Sequence, residues 1–149
     1  MTLLRSELMV ALNDAIVACR EAADQHLISA ETCGEHAACA MFGALAERRA
    51  NAADELAQFV IAAHDIPNAP TAERELLAGA FSRTKAALMP DTLQSLAADS
   101  RTREESLATL VDAALAQEPD GRLQVVLEAL AQDVAQAIES LDSLTSKSF

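Results

Sequence analysis

The chain has 149 residues, of which 51% are hydrophobic and 23% charged, and its formal net charge is −12. So acidic a chain repels phosphate backbones, which argues against nucleic acid as a partner, and no apolar run reaches the length of a membrane span. Only four glycines and four prolines beside many Ala and Leu residues predict an all-α protein.

Apolar residues recurring every 3.6 positions predict four long helices and one short one. The long helices are expected over about 3–32, 35–63, 91–117 and 121–144, and the short one over about 71–88. The loops between them contain the two prolines of "HDIPNAP", the "MPD" break at 89–91 and the "EPDG" turn at 118–121. Leu27 belongs to the apolar stripe predicted for the first helix.

The lengths of the connections predict the topology of the bundle. Short connections follow the first and third long helices, so each of these should form an antiparallel hairpin with the next. The long connection that contains the short helix can run back along the bundle, which leaves the second and third long helices parallel. The pattern predicts a ferritin-like four-helix bundle with a long crossover, as one domain over 1–149 with a polar tail from about 145.

Two segments, "ALNDAIVACREA" near the start and "LAGAFSRTKAAL" in the crossover, resemble an uncharacterised bacterial family of ferritin-like four-helix bundles. The resemblance extends from about Leu8 to Leu144 and is most specific at residues 12–14, 19–20, 55–56 and 79–88. It implies the fold, whereas a fold alone does not imply an activity. Relatives tend to place an acidic residue on the inner face of the first helix, where this chain has Ala23.

A di-iron site in such a bundle needs Glu-x-x-His on two of its helices. None of the thirteen glutamates has a histidine three residues later, and Glu47 in "ALAERRANAADEL" has Ala50 there. At 100° per residue, several glutamates point away from the apolar stripes of their helices and are expected to face solvent. These are Glu21, Glu47, Glu128 and Glu139.

Three polar residues, His26, Arg49 and Glu104, fall on or near the apolar stripes. If the second and third long helices are parallel, Glu104 lies level with Arg49, which predicts a buried ion pair in place of a metal. Metal ligation by Glu104, with His26 as a second candidate ligand, and simple exposure of the pair are the alternatives. His26 lies on the apolar side of the first helix, near its end, and is expected to be a core or boundary histidine. A separation of about two turns from Glu104 disfavours joint ligation of a metal by the two residues. Asp133, at the flank of its stripe, is expected to be an interfacial partner.

The three cysteines, Cys19, Cys33 and Cys39, form no Cys-x-x-Cys pair, and their odd number predicts free thiols in a reducing compartment. Cys19 on the apolar stripe is expected to be an inert core thiol. Charged residues near the start interrupt any signal-peptide core, so the chain is expected to be cytoplasmic. His36 and His64 fall at the two ends of the second helix, His64 as a cap.

The chain has no nucleophile elbow, phosphate loop or cysteine–histidine motif. The leading hypothesis is a non-enzymatic bundle without a cofactor, acting as a structural or stress-associated interaction protein with a protein partner or as a homodimer. Leu76, Leu77 and Phe81 of the short helix are expected to pack on the bundle or on that partner. The alternative is a metal-binding oxidoreductase, di-iron or manganese, or an iron-handling protein with atypical ligands.

Overall fold

The computed structural model describes residues 6–33, 37–63 and 92–146, and these residues form four helices. The helices are α1 (Glu7–Thr32), α2 (Ala38–Ala62), α3 (Thr92–Leu115) and α4 (Gly121–Ser146). The prediction of an all-α four-helix bundle is therefore confirmed for this part of the chain. Several predicted features lie outside the described residues: the short helix over 71–88 with Leu76, Leu77 and Phe81, the break at 89–91, His36 and His64.

The first helix begins later than the apolar pattern predicts, at Glu7 rather than near Leu3. Ser6 has extended backbone angles, and its side chain accepts a hydrogen bond from the backbone N–H of Met9 at 3.1 Å. A serine in this position satisfies one of the N–H groups that have no partner inside the helix. Apolar periodicity alone could not locate this start, because the position of the N-cap residue decides where the helix begins.

Pairs of contacting residues fix the directions of the helices. His26 and Ser29 on α1 contact Glu104 and Ser100 on α3, so residue numbers rise along one helix as they fall along the other. The α1–α2 and α3–α4 pairs are antiparallel hairpins, and α4 begins at Gly121, whose φ of +56° favours glycine. Because α1 is antiparallel to both α2 and α3, those two helices run parallel.

The apolar core forms two clusters, one on each side of a polar layer. The larger cluster joins residues of all four helices: Leu12, Ile16, Leu56, Val60, Leu107, Val111, Leu127 and Val134. The smaller one is built around Phe42, Leu45, Leu96 and Leu141. Each of these fully buried large side chains contributes roughly 1.5–3 kcal/mol through burial. The buried polar side chains of His26, Arg49 and Glu104 lie between the two clusters.

The last two turns of α1 differ from the predicted apolar stripe. Leu27 is 50% exposed, and the buried positions at this end are Gln25, His26 and Ser29. The helical spacing of the buried positions Ile16, Cys19 and Ala22 continues to His26 rather than to Leu27. Leu27 was predicted to be buried because it is hydrophobic, but its position on the helix places it outside the buried face. The buried face of α1 is therefore mainly apolar over most of its length and polar in its last two turns.

The thiols also differ from the prediction. Cys33 and Cys39 are joined by a disulfide, with their Cα atoms 6.0 Å apart, whereas Cys19 is free and buried. The end of α1 lies beside the start of α2, within the Cα distance that a disulfide needs. Free thiols were therefore the wrong prediction for Cys33 and Cys39 and the right one for Cys19.

None of the four described helices combines the length and the apolar character that crossing a membrane requires.

Candidate functional site

Arg49 and Glu104 meet at the centre of the bundle, and both side chains are fully buried. The Nε atom of Arg49 lies 3.0 Å from Oε1 and 2.9 Å from Oε2 of Glu104, and Nη2 donates to Oε1 at 2.5 Å. The sequence predicts this pair from the parallel direction of α2 and α3, and the structure places the two groups in direct contact. A guanidinium that meets both oxygens of a carboxylate forms the strongest kind of ion pair in proteins.

The remaining edge of the Arg49 guanidinium binds a carboxylate from α4. Nη1 of Arg49 donates to Oδ2 of Asp133 at 2.6 Å, and Nη2 of Arg48 donates to Oδ1 at 3.0 Å. Asp133 is 32% exposed, so it connects the buried centre to solvent. It borders a groove of about 260 Å³ between α2 and α4 that Arg48 and Arg49 also line.

His26 is a direct partner of Glu104, with its Nε2 atom 3.1 Å from Oε2. Because an ionised carboxylate only accepts hydrogen bonds, Nε2 is the atom that donates. The expected separation of two turns was wrong, since it assumed that α1 ends level with the start of α3. The Ser29–Ser100 contact shows that the first turn of α3 lies beyond the end of α1.

The Nδ1 atom of His26 is buried and has no hydrogen-bond partner among the described residues. Next to it along α1, Gln25 donates from Nε2 to the Ser29 hydroxyl at 3.3 Å, and that hydroxyl lies 3.0 Å from the hydroxyl of Ser100. These serines were not identified from the sequence. Ser29 follows His26 by three residues and Ser100 precedes Glu104 by four, so helical spacing from the predicted residues could have found both.

The carboxyl groups of the network are held in their ionised form. Burial raises the pKa of Glu104, but the hydrogen bonds from His26 and Arg49 lower it by more than burial raises it. The pKa of Glu104 therefore lies below its ordinary value of 4.5. Burial also raises the pKa of Asp133, whereas the hydrogen bonds from Arg49 and Arg48 lower it, and the net result is a lowered pKa. Burial opposes the charge of Arg49, yet its carboxylate partners raise its pKa above the ordinary value.

Cys19 lies in the same region of the core, within electrostatic reach of Arg49 and Glu104. Burial is the main cause that raises the pKa of its thiol to about 12, whereas Arg49 opposes the shift. A thiol reacts through its thiolate, so Cys19 is inert at neutral pH in the folded protein. The interpretation of Cys19 as a core thiol therefore holds in the structure.

The glutamates expected to face solvent divide into two groups. Glu47, Glu128 and Glu139 are exposed, as predicted. The side chain of Glu21 is only 13% exposed and accepts a hydrogen bond from Nη1 of Arg103 at 3.1 Å, so its prediction was wrong. The reason is that α1 packs against both α2 and α3, which makes its covered face wider than one apolar stripe.

Among residues 6–33, 37–63 and 92–146, no three His, Cys, Asp or Glu side chains converge as metal ligands would. Comparison with protein-family models, curated proteins and solved structures finds no match to the chain. The family resemblance therefore stands on the sequence motifs alone.

Proposed function

We propose that the chain is a ferritin-like bundle in which an ion-pair network occupies the layer where such a bundle would hold metal. It acts as a non-enzymatic structural or stress-associated interaction protein. One observation carries the proposal: both oxygens of the buried Glu104 carboxylate are bound by Arg49, and His26 binds one of them as well. The carboxylate is satisfied by protein donors.

The donor set at the centre explains why a metal would be disfavoured. Iron and manganese in a bundle of this kind are held by several carboxylates and histidines together. Here a guanidinium lies between the carboxylates of Glu104 and Asp133, at 2.5 Å and 2.6 Å from them. A cation entering this layer would have to displace a buried positive charge, which makes its binding unfavourable.

Metal analysis of the full chain, purified without chelators from cells supplied with iron and manganese, tests the proposal. We expect substoichiometric iron and manganese in the wild-type protein and the same in Glu104→Gln. The measurement is elemental analysis against protein concentration.

Stoichiometric iron or manganese that disappears in Glu104→Gln would overturn this proposal. It would support the alternative of a metal-binding oxidoreductase or iron-handling protein, in which His26 and Glu104 are ligands. The matched control is Glu47→Gln, which removes an exposed carboxylate from the middle of α2 and leaves the centre intact.

Exposed apolar side chains at one end of the bundle support an interaction role, with a second copy of the chain as the partner. Val10, Ile61 and Val125 are 45%, 51% and 65% exposed, and they belong to the end where α1 begins, α2 ends and α4 begins. Apolar side chains gathered at one end provide the kind of surface that a dimer buries.

Val125→Asp should shift the protein from dimer to monomer in sedimentation velocity, because it places a charge in the contact. Leu27→Asp is the matched control, since Leu27 is 50% exposed at the opposite end and its replacement should leave the dimer intact. A monomeric wild-type protein would overturn the proposed self-association.

A further inference from the structure

The adjoining ends of α1 and α2 carry two cysteines that are more accessible to solvent than Cys19. Cys33 is the C-cap residue of α1, with its backbone N–H bonded to Ser29 O at 3.1 Å, and Cys39 lies in the first turn of α2. The two residues are six positions apart and joined by a disulfide. Both are half-buried, whereas Cys19 is fully buried. A small thiol in solution can therefore approach this pair and not Cys19.

We propose that Cys33 and Cys39 form a reversible redox site that exchanges with low-molecular-weight thiols and disulfides of the glutathione type. In the oxidising direction, one cysteine thiolate attacks a sulfur of the small disulfide, which forms a mixed disulfide and releases one small thiolate. The second cysteine thiolate then attacks the mixed disulfide and releases the other. Two protein thiols and one small disulfide become one protein disulfide and two small thiols, so two electrons move.

The helix positions of the two sulfurs favour this exchange. Cys39 lies in the first turn of α2, where the helix dipole stabilises the negative charge of a thiolate. Cys39 is therefore the sulfur best suited to leave as a thiolate when the disulfide is reduced. The Cα separation of 6.0 Å lies in the range of an ordinary disulfide.

The redox state affects the end of the bundle where α1 ends and α2 begins. Cys33 packs against the smaller apolar cluster, whose buried members include Phe42, Leu96 and Leu141 from three other helices. The disulfide ties the last turn of α1 to the first turn of α2 directly above that cluster. Reduction removes this tie, so we infer that local opening of this end becomes more frequent while the opposite end is unaffected.

A glutathione redox titration of the full chain tests the site. The protein is equilibrated at increasing ratios of oxidised to reduced glutathione and alkylated under native conditions, and the alkylated positions are identified by peptide mass spectrometry. We expect a single two-electron transition in which Cys33 and Cys39 lose their alkylation together and a disulfide forms between them. Cys19 should stay unalkylated throughout and serves as the internal control.

Persistent alkylation of Cys33 and Cys39 at the most oxidising ratio would overturn the proposal, as would a disulfide that involves Cys19 or a second chain. Cys39→Ser removes the resolving thiol, and it should stop at a mixed disulfide between Cys33 and glutathione. Rapid loss of that mixed disulfide without a second thiol would contradict the two-step exchange.

Amide hydrogen exchange tests the structural consequence independently of the chemistry. Oxidised wild-type protein should exchange several-fold more slowly than reduced protein at 30–33 and 38–42, with no difference at 56–62. The double variant Cys33→Ser, Cys39→Ser should match the reduced protein under both conditions. Equal exchange in the two redox states of the wild type would refute the tie between α1 and α2.

Discussion

Replacing Arg49 by Met should lower the free energy of unfolding by about 3–5 kcal/mol, which is the usual cost of leaving a buried charge without its partner. Glu104 would keep His26 as a partner but lose the guanidinium that binds both of its oxygens. Met has a similar length and no charge, so the change removes the ion pair without opening a large space. Urea denaturation followed by circular dichroism measures the loss.

Arg48→Met is the matched control, since Arg48 binds the same Asp133 from a side chain that is 47% exposed. Its removal should cost no more than about 1 kcal/mol, because exposed ion pairs contribute little. The double replacement Arg49→Met with Glu104→Leu should recover much of the stability lost in Arg49→Met, since no buried charge then remains without a partner. A melting temperature unchanged by Arg49→Met would show that the network does not contribute to the stability of the bundle.

Acid should destabilise the bundle through the same centre. Glu104 and Asp133 have pKa values below their ordinary 4.5 and 3.8, so the folded state binds fewer protons than the unfolded state in that range. Their contribution to stability is complete above about pH 4.5 and is lost as the pH falls through the lowered pKa values. The buried Glu104 should add a slope of about 1.4 kcal/mol per pH unit to the free energy of unfolding in this window.

Urea denaturation at a series of pH values from neutral to acid measures this slope. The double variant Arg49→Met, Glu104→Leu lacks the buried Glu104 carboxylate, so its unfolding free energy should fall less steeply with acid than that of the wild type. Asp133 contributes a smaller share, because it is 32% exposed and screened by solvent. Equal slopes in the two proteins would assign the acid sensitivity to other carboxylates.

The helices and the central pair could be predicted because their signals are local. Apolar periodicity located the four helices, and connection lengths predicted that α2 and α3 are parallel, which placed Arg49 level with Glu104. The start of α1 required the capping geometry of Ser6, which periodicity does not contain. The burial of Glu21 follows from the contacts of α1 with two neighbouring helices, which a single apolar stripe does not predict.

The remaining members of the centre depended on the vertical alignment of helices that are distant in the chain. The prediction places His26 in the core but two turns from Glu104. The first turns of α3 extend beyond the end of α1, and the sequence of neither helix alone predicts this offset. The pairing of Cys33 with Cys39 was missed for a different reason. An odd number of cysteines indicates a compartment, whereas the pairing depends on the approach of the end of α1 to the start of α2.

The sequence separations within the central network have a consequence for the order of folding. Arg49 lies 55 residues from Glu104 and 84 from Asp133, and His26 lies 78 residues from Glu104. Each contact closes a long loop, so the network can form only after hairpins from both halves of the chain have met in the correct alignment. A bundle assembled one turn out of alignment would bury these charges without partners, and its low stability would prevent it from accumulating.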